Sequence, residues 1–198
     1  MRLLGGILGV NQRADQLAGR MEDILHDVDR VTASIPREAR PRVYLARGTR
    51  GLETGNRGSI NTEIIERVGA INVAEGGLQG GGLYNVSLEQ VIGWNPDTIV
   101  TVDPGVAEHI RSDPAWSQIH AVQQHRVFLS PRLPYGWIDA PPSLNRLIGV
   151  QWLARLLFPD RFPGAMREVA RDFYRQFYQV DLSTNELDKL LEGAEQTR

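Results

Sequence analysis

The chain has 198 residues, which suits a single domain with a sizeable core, because one domain usually takes ~100–200 residues. Hydrophobic residues make up 41% and charged residues 23%, and this balance excludes disordered, collagen-like and coiled-coil classes. The net charge of −2 argues against a general nucleic-acid-binding protein. The lack of cysteine excludes disulfide frameworks, cysteine–zinc sites and thiol catalysis.

The first predicted element is one long helix over residues 3–33, which ends before Pro36. Its apolar residues recur on one face, as in an amphipathic helix: Leu17, Met21, Ile24, Leu25 and Val28. A helix of this length extends about 45 Å at 1.5 Å per residue. Because that is long for a chain of this size, we expect the helix to span something larger. No apolar run approaches the ~18–20 residues of a membrane span.

Strands and helices alternate through the middle of the chain. Short apolar runs predict strands over residues 43–46, 71–74, 98–102 and 127–129. Helices are predicted between them over residues 62–68, 87–94 and 104–112, and the second opens on the capping-box pattern of Ser87 and Gln90. This alternation favours an α/β sandwich with a mainly parallel sheet of about four strands.

After Pro141 the pattern becomes helical throughout. Residues 144–157 are apolar nearly all round, which indicates a buried helix. A second helix carries an apolar stripe from Met166 to Phe177, and Ser183 with Glu186 forms a capping box that opens a last helix. We therefore expect a three-layer lobe that is completed by C-terminal helices.

The residues that usually carry catalysis or bind metals form no recognisable motif. The four histidines have no metal-ligand spacing, and no nucleophile motif is present, so we predict no metal site and no catalytic residue. The glycine-rich stretch from Gly76 to Gly82 has two interpretations. It is a mobile loop, or its backbone N–H groups hold the phosphate of a substrate in a small α/β enzyme, with Glu75 as the nearby base.

Candidate ligand-binding residues follow the predicted strands. Arg47 and Arg50 come directly after the first strand, and ligands of open α/β sheets bind outside the carboxyl ends of strands. Guanidinium groups at this position suit an anionic ligand, because they pair with carboxylates in a fork. The alternative is that both are solvated surface charges.

Aromatic side chains provide the second set of candidates. Tyr135 and Trp137 lie among prolines after the last strand, where they offer flat contact surface at low entropic cost. The alternative is a packed corner that seats the following helix. Tyr84 follows the glycine-rich stretch, where an aromatic residue is hard to explain as core.

Several segments in order resemble one family. They include residues 8–17, Pro-Arg-Val at 41–43, Gly-Ala-Ile-Asn-Val-Ala at 69–74, Val-Ser-Leu-Glu-Gln-Val at 86–91 and Asn-Pro-Asp-Thr-Ile-Val at 95–100, followed by residues 113–128. Over residues 3–178 this series is similar to the substrate-binding proteins of ABC importers for ferric siderophores, haem and cobalamin. The family has two α/β lobes that are joined by one long helix, with the ligand between them. The resemblance implies that residues 1–34 are the connecting helix and residues 35–198 the C-terminal lobe, with the N-terminal lobe and export signal absent.

The resemblance also implies a function. It predicts a periplasmic or extracytoplasmic binding protein without enzymatic activity or resident cofactor, which delivers a small-molecule metal chelate to a membrane permease. A ferric chelate is favoured, since arginines and aromatics suit an anionic, partly aromatic complex, while haem and cobalamin remain open. Glu89 matches the family's acidic residue that docks onto permease arginines, although a carboxylate in the first turn of a helix is also favoured by the helix dipole. Exposed apolar surface predicts a homodimer of the lobe.

Overall fold

The computed structural model describes residues 1–74, 82–139 and 141–195. Six strands are present in this part of the chain: β1 (Arg42–Ala46), β2 (Glu53–Gly55), β3 (Ile71–Asn72), β4 (Leu83–Asn85), β5 (Thr98–Thr101) and β6 (Val127–Leu129). Four of them form a parallel sheet in the order β3-β1-β5-β6, which confirms the predicted α/β class. The sequence analysis missed β2 and β4, which pair with each other in antiparallel fashion.

The helices between the strands agree with the prediction. Those that were predicted are α3 (Glu63–Arg67), α4 (Leu88–Trp94) and α5 (Pro104–Ser112), while the short α6 (His120–Gln123) was not predicted. The C-terminal part contains α7 (Arg146–Leu157), α8 (Met166–Phe173) and α9 (Thr184–Leu190), with a π-helical stretch over Tyr174–Tyr178 after α8. Both predicted capping boxes are confirmed, at Ser87 with Gln90 and at Ser183 with Glu186.

The prediction of one uninterrupted helix over residues 3–33 is wrong. The chain forms α1 (Arg2–Leu8) and α2 (Asn11–Thr32), and Gly9 between them adopts a left-handed conformation with φ of +70°. Glycine ends α1 because this conformation costs other residues more. The helix α1 folds back against the first half of α2, where Gly5 packs so closely on Ala14 that a Cβ at Gly5 would overlap it.

Exposed ion pairs hold α1 in this position, because Arg2 contacts Asp15 at 3.2 Å and Glu22 at 2.6 Å. The outward side of α1 is apolar, with side chains that are at least 60% exposed: Leu3, Leu4, Ile7 and Leu8. The remaining helix α2 has 22 residues and extends about 33 Å. Within the described residues, no helix combines the length and apolar character that crossing a membrane requires.

Both faces of the parallel sheet are covered, as the prediction of three layers requires. Alternate residues of β1 point to opposite faces. Val43 and Leu45 belong to the larger hydrophobic cluster, which also contains residues of α2, α3, α7 and α8. Tyr44 and Ala46 belong to a smaller cluster with residues of α4 and α5. Because the strands are parallel, their carboxyl ends meet at one edge of the sheet.

Candidate functional site

A buried ion pair lies at the carboxyl end of β1. Arg47 follows this strand, and its backbone N–H and carbonyl are hydrogen-bonded to Glu53, at 2.8 and 3.0 Å. Its guanidinium, 18% exposed, forms an ion pair with Asp139, whose side chain is only 2% exposed. Arg47 Nε also lies 3.8 Å from Glu53 Oε1. The guanidinium is therefore fixed beside two carboxylates and retains a partly solvent-accessible side.

Asp139 is also hydrogen-bonded to Asn61, which lies in the segment before α3. Its Oδ2 atom accepts a hydrogen bond of 2.8 Å from Asn61 Nδ2. Asn61 lies just before α3, and its backbone N–H donates to Ser59 Oγ at 3.3 Å. A buried carboxylate needs both a charge partner and hydrogen bonds to be stable. Arg47 and Asn61 supply these, so the end of β1, the segment before α3 and the loop containing Asp139 form one unit.

The loop over residues 130–139 crosses the carboxyl edge of the sheet. It begins after β6, where the Ser130 N–H donates to the carbonyl of Thr101 at the end of β5, at 2.8 Å. Within the loop the Trp137 N–H donates to the Pro131 carbonyl at 3.0 Å. The loop ends at Asp139, which reaches Arg47 after β1. It therefore passes from β6 across β5 to β1 and covers the strand ends.

Asn145 anchors the middle of this loop. The side chain is fully buried, and Nδ2 donates to the carbonyls of Leu133 and Tyr135 at 3.2 and 2.7 Å. Its Oδ1 atom accepts a hydrogen bond of 2.7 Å from the Tyr178 hydroxyl. The Tyr174 hydroxyl also donates to the Leu133 carbonyl. These contacts fix the loop backbone while Leu133 and Tyr135 remain 65% and 50% exposed.

Three of the predicted ligand-binding residues lie along this edge. Arg47 is at the buried ion pair, and Tyr135 projects from the anchored loop. Arg50 is exposed in the turn after β1 and forms no ion pair with any residue that the structure describes. The edge therefore offers one fixed guanidinium, one free guanidinium and one exposed aromatic ring. Their role in ligand binding stays a prediction.

The other two aromatic candidates lie elsewhere. Trp137 is fully buried in the larger cluster, and its Nε1 donates to the Tyr174 hydroxyl at 3.3 Å. The packed-corner interpretation is therefore correct for Trp137, and this ring is not a contact surface in the structure. Tyr84 lies on β4 opposite Thr54 and packs, half-buried, against the smaller cluster. Burial and, to a lesser extent, the nearby Tyr84 raise the pKa of Tyr44.

Glu89 is exposed in the first turn of α4, as the sequence predicted. Hydrogen bonds from its own backbone N–H and from Ser87 lower the pKa of the Glu89 carboxyl. The carboxylate therefore stays ionised and faces solvent. Both interpretations of Glu89, as a docking residue and as a helix-stabilising charge, are compatible with this position.

The sequence analysis did not single out three residues on which this site depends: Asn61, Asp139 and Asn145. Asp139 stood in the proline-rich segment already considered, but its partner Arg47 is far away in the chain. The available signal was Asp139 itself, an acidic residue beside the apolar Ile138 in that segment, whereas no local signal marked Asn61 or Asn145. Among the described residues, the structure contains no group of three or more histidine or acidic side chains arranged for a metal ion.

Residues 1–132 match the family model described as periplasmic binding protein. The chain belongs to this family. The molybdate-binding protein MolA of Haemophilus influenzae is 34% identical over 146 residues, which cover 72% of this chain and 40% of MolA.

Solved structures agree with this membership. An ABC transporter solute binding protein from Sulfurospirillum deleyianum gives a TM-score of 0.91 at 32% identity, covering 96% of this chain and 59% of that chain. The molybdate-bound structure of MolA gives a TM-score of 0.74 at 28% identity, covering 92% and 55%. The chain thus spans about half the length of these relatives.

Family membership also bears on the enzyme alternative. Periplasmic solute-binding proteins are not enzymes, so the small α/β enzyme that was considered above is not supported. Most of the glycine-rich stretch on which that alternative depended, together with Glu75, lies outside the described residues. The phosphate-holding interpretation of that stretch therefore has no structural support.

Proposed function

We propose that this chain forms part of the solute-binding component of an ABC importer, which captures an anionic solute outside the cytoplasm and delivers it to a membrane permease. Membership of the periplasmic binding protein family supports the capture and the location. The arrangement of arginines at the carboxyl edge of the sheet is the observation that supports an anionic solute. There the buried Asp139 orients Arg47, while Arg50 adds a positive charge without a described partner.

The first candidate solute is a tetrahedral oxyanion of the molybdate type. MolA, which is similar to this chain, is named as a molybdate-binding protein. Guanidinium groups bind such oxyanions through charge-assisted hydrogen bonds, and a pre-oriented guanidinium loses less entropy on binding. Because Asp139 and Glu53 offset the charge of Arg47, the exposed guanidinium of Arg50 is the group that attracts the solute.

The second candidate is the anionic ferric chelate that the sequence favoured. Tyr135 and Leu133 leave flat apolar surface exposed beside the arginines, and a bulky chelate has matching surface to bury. Neither relative described above is named for a chelate, a haem or a cobalamin, so this candidate rests on the exposed loop and the neighbouring arginines.

An NMR titration of the isotopically labelled chain with molybdate, and separately with a ferric hydroxamate siderophore, tests both candidates. We expect saturable shifts at residues 47–51 for the oxyanion, with added shifts at 131–139 for the chelate. The variant Arg50→Gln weakens binding several-fold. The matched variant Arg37→Gln, an exposed arginine before β1, leaves it unchanged. If neither anion causes saturable shifts at this edge, the proposed solute class is wrong.

The partner in this function is the permease, and Glu89 is its proposed docking residue. Its exposed, ionised carboxylate suits a cationic surface. In a reconstituted transporter, we expect Glu89→Gln to reduce stimulation of ATP hydrolysis without changing solute affinity. Glu108→Gln, on the exposed side of α5, serves as control. Equal loss in both variants would contradict docking through Glu89.

Self-association of the lobe stays a prediction. The exposed apolar side chains of α1 give the second copy a surface to contact. Light scattering over a range of protein concentrations checks it, and a monomer mass throughout would reject the homodimer.

A further inference from the structure

A second groove lies at the opposite, amino edge of the sheet, away from the site described above. It has a volume of about 520 Å³ and lies between the start of β6, α7 and the segment before α8. Its walls are mostly apolar and include Trp152, Leu156, Phe162 and Met166. Two guanidinium groups, of Arg126 and Arg155, line the same groove. Small-molecule sites typically combine apolar walls with a few fixed polar groups in a volume of ~300–1,000 Å³.

Arg155 has few hydrogen-bond partners among the described residues. A guanidinium carries five N–H donors. Among the described residues only one of them has a partner, the Gln151 carbonyl at 3.2 Å from the first terminal nitrogen. The Nε atom is buried and has no hydrogen-bond partner. A half-buried guanidinium in this state is less stable than a paired one, since desolvation is not offset by hydrogen bonds. In agreement, burial lowers the pKa of Arg155.

Arg126 is held rigidly at the other side of the groove. Its Nε and a terminal nitrogen donate to the Thr98 hydroxyl at 3.1 and 3.0 Å, and Nε also contacts the Asp97 carbonyl at 3.2 Å. The guanidinium carbon lies 5.9 Å from the centre of the Phe128 ring. These contacts pre-orient the charged group, so a ligand would not have to order it.

Neither charge forms an ion pair with a described residue of the groove, although the nearby Asp97 partly offsets the lowering of the Arg126 pKa by burial. Within the described part of the chain, neither Arg126 nor Arg155 has a carboxylate oxygen within 4 Å, and the only carboxylate along the groove, Glu195, is exposed. Elsewhere in the chain a comparable half-buried arginine is paired, as Arg146 is with Glu63 at 2.7 Å. The groove therefore combines excess positive charge with apolar walls.

We propose that this groove binds an organic carboxylate with an apolar or aromatic body. The carboxylate contacts the free donors of Arg155 and the fixed guanidinium of Arg126. The apolar body packs along Phe162 and Met166. The groove lies at the edge opposite to Arg47, so its occupation is independent of the importer solute.

NMR titration with benzoate, and with the uncharged benzamide as its matched control, tests this proposal. We expect benzoate to shift the amides of residues 126, 155–156 and 162–166 in a saturable manner, and benzamide to bind at least about tenfold more weakly. Arg155→Gln should weaken benzoate binding about tenfold, Arg155→Lys should weaken it less, and Arg37→Gln should have no effect.

Three outcomes would overturn the proposal. Equal binding of benzamide and benzoate would mean that the groove recognises only apolar surface. Benzoate binding that is unchanged in Arg155→Gln would remove Arg155 from the site. Shifts that are scattered or fail to saturate would mean that no site exists. The spectrum of each variant reports its fold, and molybdate shifts at residues 47–51 test the importer site separately.

Discussion

Arginines lie at both edges of the parallel sheet, but their surroundings differ. At the carboxyl edge Arg47 pairs with the buried Asp139, which Asn61 also holds. At the amino edge Arg126 and Arg155 are half-buried without a carboxylate within 4 Å among the described residues. A paired guanidinium contributes to the stability of the fold, whereas an uncompensated one contributes little and remains available to a ligand. The two edges should therefore respond differently to substitution.

The largest effect is expected from Asp139→Asn, which leaves Arg47 without its buried charge partner. Breaking a buried ion pair typically costs about 3–5 kcal/mol, and we expect about 3 kcal/mol in the free energy of unfolding. Urea denaturation of the wild-type chain and the variant measures this loss. Asp188→Asn removes the exposed partner of Arg167 and should cost less than about 1 kcal/mol. Equal costs would show that the Asp139 pair is not a special structural element of the carboxyl edge.

Gly149→Ala tests how closely α7 packs on the loop that crosses the carboxyl edge. A Cβ at Gly149 would overlap the Trp137 carbonyl, so either the helix or the loop must move. We expect a loss of about 2–3 kcal/mol in stability. The control is Gly93→Ala in α4, where a Cβ has open space, and this change should stabilise by up to about 1 kcal/mol. If Gly149→Ala left the free energy of unfolding unchanged, the loop would be able to move away from α7 at little cost.

Tyr174→Phe probes the anchoring of the same loop and adds a pH dependence. The hydroxyl contacts the Leu133 carbonyl and the Trp137 indole, so its loss should cost about 1 kcal/mol at neutral pH. Burial raises the pKa of Tyr174 to about 12, above its ordinary value of 10.0. The fold thus favours the neutral phenol. The resulting contribution to the free energy of unfolding is complete below pH 10 and is lost as the pH rises towards 12.

The measurement is the free energy of unfolding at pH 8 and pH 11. We expect the wild-type chain to lose more stability over this interval than Tyr174→Phe does. Equal losses in both chains would mean that Tyr174 does not contribute to alkaline destabilisation.

The smallest effect is expected at the amino edge. Arg155→Met removes a guanidinium without a carboxylate partner and keeps an apolar side chain in the groove. We expect the free energy of unfolding to change by no more than about 0.5 kcal/mol in urea denaturation. If the free energy of unfolding fell as much as in Asp139→Asn, the two edges would not differ as proposed and Arg155 would be a structural residue.

The sequence predicted the fold well where local signals decide it. Apolar runs located all four parallel strands, and the serine–glutamine and serine–glutamate patterns located two helix starts. The break at Gly9 was missed because both segments are helical, so helical periodicity does not reveal the turn between them. The strands β2 and β4 were missed because their sequences, Glu-Thr-Gly and Leu-Tyr-Asn, lack the apolar runs that marked the other four strands.

The candidate site was predicted only in part, for a physical reason. Arg47, Arg50 and Tyr135 follow strands, and strand ends meet at one edge, so their position could be inferred. The pairing of Arg47 with Asp139 depends on the path of a loop across the sheet, which no local pattern encodes. Trp137 and Tyr135 are two aromatic residues of the same loop, but Trp137 is buried and Tyr135 is exposed, and the sequence does not show how α7 packs on the loop.

The short helix α1 also affects how the chain behaves during purification. Its exposed aliphatic side chains include Leu3, Ile7 and Leu8, and the ion pairs of Arg2 that hold it against α2 are themselves exposed. Ammonium sulfate screens such ion pairs and at the same time strengthens the association of apolar surface. Salting-out of this chain should therefore begin at α1, and replacing Leu3 and Ile7 by glutamine should raise the salt concentration at which the protein precipitates.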